Sequence, residues 1–322
     1  MALFRDDPEF AAGITEAASR LGLARPFVEK DYWVTQVLRA LHLVFPGQFL
    51  LKGGTSLSKG YGIIDRFSED IDILVVPRND HSATTAEARL RAMVTDTARA
   101  LDLPWEVSRT PGHGVSASRG DAIRYVATED ATGLDTGIRP GEVLLETGFA
   151  GGPEPSELCE VATLVGKALE IPQGDYEDLA PFDLRMLDPR RTLIEKCAAL
   201  HHLASTWTEK DPPTDARFGR HYYDIYQLLG HRRTVAGLTD REEFRLIVED
   251  VGRISANNFG AITPRPEDGF GASKAFKPEP GSPLRAWLER GYRDSQVLIS
   301  RMSRPPTFGR ILTRIEENAA LL

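Results

Sequence analysis

The chain has 322 residues, is 41% hydrophobic and 27% charged, and carries a formal net charge of −8. That length accommodates two domains with separate cores, and the composition is that of a folded protein rather than a disordered or collagen-like one. No apolar run approaches a bilayer span, MALFRDDPEF holds no signal-peptide core, and two cysteines, Cys159 and Cys197, build neither a disulfide framework nor a metal cluster, so a cytoplasmic protein is expected.

In chain order, Asp7-Pro8 reads as the start of a helix with Phe10, Ile14, Ala18 and Leu21 at helical spacing. Pro26 opens a second helix to about Leu43, on which Lys30 and Asp31 read either as a surface pair or as groups orienting a site. Pro46-Gly47 ends it before a strand at Phe49 to Lys52. A Gly53-Gly54 turn, a short helix and an acid-bearing strand, Glu69 to Val76, follow. Residues 79–85 are polar; a helix is expected over about 84–101, then strands at 105–108, 122–127 and 142–149 with a Gly/Ser-rich loop at 109–120. The strand Val143-Leu144-Leu145-Glu146-Thr147 carries one charge, which is either a strand end in water or a carboxylate delivered to a site.

Gly151-Gly152-Pro153-Glu154-Pro155 is a strong break, and 172–188 reads as an acidic loop. The division expected is a domain over 1–165 and a helical domain over 166–322. Asp188-Pro189 caps a helix on which Lys196 falls within the apolar arc of Leu193, Cys197, Leu200 and Ala204. A lysine there either snorkels or meets an anion. On the next helix Arg217, Arg220, His221 and Asp224 share one stripe, as a solvated face or as a binding strip. His201 and His202 read as surface histidines, since no partner stands at zinc-ligand spacing. Asp240 to Glu243 reads as a capping box, 254–281 as a long loop, and Ser282-Pro283 as the start of a further helix.

Charge is uneven. Residues 129–183 hold 13 acids against 2 bases, whereas 185–233 hold 9 bases against 6 acids and 282–322 hold 7 arginines against 4 acids. The basic regions are either solvated helix faces or surfaces for a polyanion.

The chemistry concentrates in Lys52 to Val76. Paired glycines let a backbone approach a ligand closely. Amides at the following helix start, with Thr55 and Ser56 hydroxyls, suit phosphate oxygens. Asp70 and Asp72 stand two apart on a strand and so share one face. Their mutual repulsion is relieved by a divalent cation, and Mg²⁺ takes one or two carboxylates together with substrate phosphates.

Gly53-Gly54-Thr55-Ser56-Leu57-Ser58-Lys59 with Arg66-Phe67-Ser68-Glu69-Asp70-Ile71-Asp72 resembles the first motif of the AbiEii/AbiGii (MenT-like) toxin nucleotidyltransferases, of the polymerase-β-type superfamily. Glu29 to Trp33 is similar to the family's lead-in helix, and Lys196 to Leu200 to a helix bearing a family lysine. Arg220-His221-Tyr222-Tyr223-Asp224 keeps the arginine and last aspartate of a family motif but has His221 in place of its first acid.

The resemblance implies an α/β (α+β) polymerase-β-like domain, a small mixed sheet flanked by helices, followed by a helical domain that completes a nucleotide cleft. It implies Asp70, Asp72, Glu146, Lys196 and Asp224 as catalytic residues. Asp70, Asp72 and Glu146 would hold one or two Mg²⁺ ions. Gly53, Gly54, Thr55, Ser56, Lys59, Arg66, Lys196, Arg217 and Arg220 would bind the nucleotide, with Lys52 a weaker candidate. Asp224 would orient Lys196 or Arg217. The implied reaction moves NMP from an NTP to an acceptor hydroxyl, at the 3′ end of tRNA, and the implied partner is an antitoxin. A monomer is expected. Transfer to a protein hydroxyl and a non-catalytic NTP- or RNA-binding module are the alternatives.

Overall fold

Strand sequences that alternate between apolar and polar side chains build a sheet with two unlike faces, and the centre of this chain does so. The computed structural model describes residues 2–68, 70–76, 83–109, 118–128, 139–172, 174–213, 217–259, 263–298 and 304–322. Glu69, the polar run 79–82 and the loop residues 110–117 lie outside the described residues.

The sheet has seven strands: β1 (Phe49–Lys52), β2 (Asp70–Val75), β3 (Trp105–Arg109), β4 (Ser118–Arg124), β5 (Glu142–Gly148), β6 (Ser156–Val161) and β7 (Phe182–Leu187), in the order β3-β4-β5-β2-β1-β7-β6. Strand β2 runs antiparallel to β1 and parallel to β5, while β1 is parallel to β7. The expected mixed α/β architecture is therefore present. The strands β6 and β7 were not expected; they follow the 151–155 break and close the stretch read as loop. Their short runs each begin just after a proline, Pro155 and Pro181, which masks the alternation.

One face of the sheet is apolar. Phe49 and Leu51 of β1, Ile71, Ile73 and Val75 of β2, and Val143 and Leu145 of β5 share a core with three helices, α1 (Phe10–Leu21), α2 (Arg25–Val44) and α4 (Ala83–Leu101). The alternate positions of the same strands, Lys52, Asp70, Asp72 and Glu146, point to the other face. There a helical layer packs: α6 (Pro189–Thr206), α7 (Gly219–Gly230), α8 (Arg232–Leu238), α9 (Arg241–Phe259), α10 (Pro283–Asp294) and α11 (Phe308–Glu317). Of two short helices, α3 (Gly53–Lys59) gives Leu57 to the core of the helical layer, and α5 (Leu164–Leu169) gives Val165 to the core with α1 and α2.

The expected division at 165/166 cuts α5, and the sheet continues to Leu187. The core under the sheet includes Met186, and that of the helical layer takes up again at Leu193. The stretch 254–281 is partly helical, since α9 runs to Phe259 and a 3₁₀ turn forms at Phe270–Ala272. His201 is buried rather than exposed, with Nδ1 2.8 Å from Ser273 Oγ and Nε2 2.9 Å from the Pro264 carbonyl; burial lowers its pKa. Asp240 accepts from the Glu243 amide at 3.1 Å, but Glu243 does not complete a capping box, because its carboxylate pairs with Arg190.

Helix α2 is buried along most of its length, and its charges are internal rather than a surface pair. Lys30 Nζ donates to the Arg139 carbonyl at 2.8 Å, and Glu29 accepts from the Thr128 amide at 2.8 Å. Asp178 anchors the chain start: its carboxylate accepts from the Phe4 amide at 2.8 Å and from the Tyr32 hydroxyl, and Gln36 donates to its carbonyl at 2.8 Å. Asp178→Ala leaves buried donors without a partner and is expected to cost about 2–4 kcal/mol; urea unfolding followed by circular dichroism measures it.

Candidate active site

The site begins with two strands in register. Lys52 of β1 stands opposite Asp72 of β2, and Asp72 stands beside Glu146 of β5 on its other flank. Asp70 is two residues from Asp72 and faces the same way. The sequence motif thus brings four ionisable side chains onto neighbouring positions of three adjacent strands.

The turn after β1 is shaped by this proximity. Gly53 has φ +70°, and a Cβ on it would fall 2.5 Å from Asp72 Oδ2. Only a residue without a side chain both adopts that conformation freely and admits the carboxylate. A Cβ on Gly54 would fall 2.5 Å from Arg66 Nη2 and 2.8 Å from Ser68 Oγ. The pair of glycines therefore lets the backbone pass between an aspartate and an arginine. Thr55 and Ser56 are buried; the Thr55 hydroxyl donates to the Asp70 carbonyl, and Ser56 Oγ donates to the Gly53 carbonyl at 2.9 Å. The Thr55 hydroxyl ties the turn to the acidic strand, and the Ser56 hydroxyl closes the turn on itself.

Asp224 on α7 is fully buried. Arg66 grips it with two parallel bonds, Nε to Oδ1 at 2.6 Å and Nη2 to Oδ2 at 2.7 Å, and Lys196 Nζ lies 2.8 Å from Oδ2. Burial by itself would raise the Asp224 pKa, but Arg66 and Lys196 outweigh it and hold the carboxyl well below its usual range. Lys196 also sits 3.3 Å from His221 Nδ1. Burial, with Lys196 beside it, pushes His221 far below its ordinary value, so the ring is neutral at pH 7 and Nδ1 accepts from the ammonium. The residue at the position of the family's first acid is therefore a neutral acceptor for the same lysine. Asp224 contacts Lys196, one of the two partners expected of it; Arg217 goes elsewhere.

Arg217, in the turn before α7, reaches the strand: its Nη1 is 2.8 Å from Asp70 Oδ2. The other oxygen, Asp70 Oδ1, is buried with no hydrogen-bond partner. Burial raises the pKa of Asp72; Lys52 opposes this, Asp70 adds to it, and Lys196 and Arg220 oppose it. Arg220 stands within the electrostatic reach of Arg66, Asp70, Arg217 and Asp224, and its Nε is buried without a partner.

Two residues expected to bind phosphate are engaged elsewhere. Lys59 is largely buried, with Nζ 2.5 Å from Asp31 Oδ1 and 2.6 Å from Thr35 Oγ1 on α2. It fastens α3 to α2 on the side away from Asp72. Asp31 and Thr35, four apart on α2, share a helix face, but nothing local in the sequence ties that face to Lys59. Arg66 is committed to Asp224. Lys52, Gly53, Gly54, Asp70, Asp72, Glu146, Lys196, Arg217, Arg220 and Asp224 are gathered in one region. Among the described residues no three His, Cys, Asp or Glu side chains converge as a metal cage.

Removing the Asp224 charge strands two buried cations. Asp224→Asn is expected to cost about 3–5 kcal/mol at pH 7. The folded-state pKa of Asp224 lies below the unfolded value of about 4, so its stabilisation is complete above that pH and drains away as pH falls below it. Urea unfolding of both proteins at pH 7 and near pH 3 should show the gap between them narrowing in acid.

The sequence profile of the AbiEii toxin nucleotidyltransferases, described as a type IV toxin–antitoxin system, matches residues 36–312. Among solved structures the chain is similar to MenT4, a nucleotidyltransferase toxin of Mycobacterium tuberculosis H37Rv, with a TM-score of 0.59 at 17% identity over 96% of this chain and 88% of that one. No curated protein matches significantly. No helix among the described residues is long and apolar enough to cross a membrane. The profile spans both motif strands, Glu146, Lys196 and Asp224, and the chain belongs to the AbiEii family of nucleotidyltransferase toxins.

Proposed function

We propose that this nucleotidyltransferase transfers NMP from an NTP to the 3′ end of tRNA, with pyrophosphate as the leaving group, as a cytoplasmic toxin held in check by an antitoxin. The observation that carries the catalytic part is the common face of Asp70 and Asp72, beside the Gly53 bend and below Lys196. The tRNA acceptor rests on the resemblance of the Lys52–Val76 motif to the MenT-like branch, and the arginines of 282–322 are compatible with an RNA backbone.

The residues present fit Mg²⁺. Asp70 Oδ1 is buried and lacks a partner, and burial next to Asp70 disfavours the charged form of Asp72. Two such carboxylates suit a cation that completes its shell with phosphate oxygens rather than with an all-protein cage. When bound, the cation supplies charge neutralisation at the reacting phosphate and at the attacking oxygen. Asp70 and Asp72 would hold it, and Glu146, next to Asp72 in register, would align the acceptor hydroxyl or share the metal.

The chain's own groups handle the rest of the charge. Backbone amides at Gly54, Thr55 and Ser56 cradle the β- and γ-phosphates. Asp224 and His221 take two of the three donors on the Lys196 ammonium, and the third meets a phosphate oxygen. Arg220 brings its unpartnered Nε to the same anion. Arg66 acts from behind, by holding Asp224 still; Lys59 acts only through the α2–α3 packing. Catalysis is then chiefly positioning and electrostatic stabilisation.

The test is incubation of the full chain with labelled NTPs, Mg²⁺, total tRNA and cell extract. Label in tRNA supports the proposal, label in protein moves the acceptor to a protein hydroxyl, and label in neither leaves a binding module. Asp72→Asn is expected to abolish transfer while the thermal midpoint stays equal or rises, since it removes a charge that burial disfavours; a sharply lower midpoint would make Asp72 structural. Lys196→Ala is expected to weaken NTP use, read as a raised KM for NTP in the same assay.

A further inference from the structure

Asp70 is a half-satisfied carboxylate. Its Oδ2 accepts from Arg217 at 2.8 Å, while its buried Oδ1 has no hydrogen-bond partner. Buried carboxylate oxygens are almost always partnered, so the vacant one marks a place for another group. Asp70 itself is fixed: it lies in β2, is 7% exposed, and has its carbonyl tied to Thr55. Arg217 is the more accessible partner. It lies in the turn before α7 with its side chain 43% exposed, unlike Arg66, which is 4% exposed and doubly bonded to Asp224.

The balance of charge adds a second observation. Asp70, Asp72, Asp224 and Glu146 face five cations: Lys52, Arg66, Lys196, Arg217 and Arg220. A divalent cation entering such a cluster is repelled unless a cation leaves or an anion arrives. Of the five, Arg217 is the exposed one. We infer that Arg217 and the divalent cation are alternative partners of Asp70. In the free protein the guanidinium holds the carboxylate; arrival of the cation with its nucleotide displaces it, and the released guanidinium turns to the phosphates of the nucleotide or acceptor. Arg217 is thus a positioning residue that couples metal entry to nucleotide entry. Metal without nucleotide meets a carboxylate with Oδ2 taken and a guanidinium beside it, whereas metal with nucleotide brings the anion that receives the arginine.

This rests on Asp70 as a metal ligand, and the experiment separates the two. Mn²⁺ binding to the full chain is measured by electron paramagnetic resonance, with and without a non-hydrolysable NTP analogue. For wild type, weak binding alone and tight binding with the analogue are expected. Arg217→Ala is expected to bind Mn²⁺ alone roughly five- to ten-fold more tightly than wild type, because the half-exposed guanidinium no longer competes for the buried carboxylate. Arg217→Lys should restore much of the weak binding, and Asp70→Asn in the Arg217→Ala background should abolish the gain. An affinity for Mn²⁺ alone that is unchanged or lower in Arg217→Ala, while wild type binds with the analogue, overturns the exchange and leaves the metal site standing. No Mn²⁺ bound to wild type in either condition overturns the metal site and the exchange together.

Discussion

The buried carboxylate of Asp224 is the constraint on which the site depends. A lone charge in that position would be strongly disfavoured, and it is tolerated because Arg66 meets it with two hydrogen bonds and Lys196 with a third contact. These three residues come from different places: the segment before β2, helix α6 and helix α7. Their mutual need fixes the helical layer against the charged face of the sheet. It also fixes the Lys196 ammonium, whose flexible stem would otherwise leave its position undetermined. His221 assists by staying neutral, since a charged imidazole beside Lys196 would repel it.

The sheet divides its labour by face. Ile71 and Ile73 join the core with α2 and α4, and the residues between and beside them present carboxylates to the helical layer. This makes the site precise, because Asp72 is set by strand pairing on both sides, and Asp70 by β5 on one side and by the Thr55 hydroxyl on its carbonyl. Gly53 adds the close approach of the following turn, where a side chain would strike Asp72. Arg217 is set on a turn instead, and this contrast between rigid acids and an exposed base gives the site one adjustable part.

The acidic strand was legible because its signal is local. Two aspartates at a spacing of two among Ile, Leu and Val can only share a face, and paired glycines before a short helix can only be a close turn. The inward position of Lys196 and the stripe of Arg220, His221 and Asp224 were also readable, since helical periodicity places them without reference to anything else; Arg217, expected on the same stripe, lies in the turn before α7 instead. What these groups touch was not readable. Lys59 lies in the motif and carries the right charge, yet Asp31 and Thr35 of α2 take it to the other side of α3. Arg66 likewise serves Asp224 rather than standing open to a ligand.

The sequence by itself determined which residues lie on which face of each element, because that follows from backbone periods of two and of 3.6 residues. It also determined the family, through a motif whose glycines, acids and lysine are each needed by the same chemistry. Tertiary structure alone decided the partners: β7 beside β1, Asp31 against Lys59, Asp224 between Arg66 and Lys196, and Arg217 on Asp70. The reason is physical. A charge in a sequence states only that it needs a counter-charge or water, and several candidates satisfy that need equally until packing brings one within hydrogen-bond reach and removes the rest.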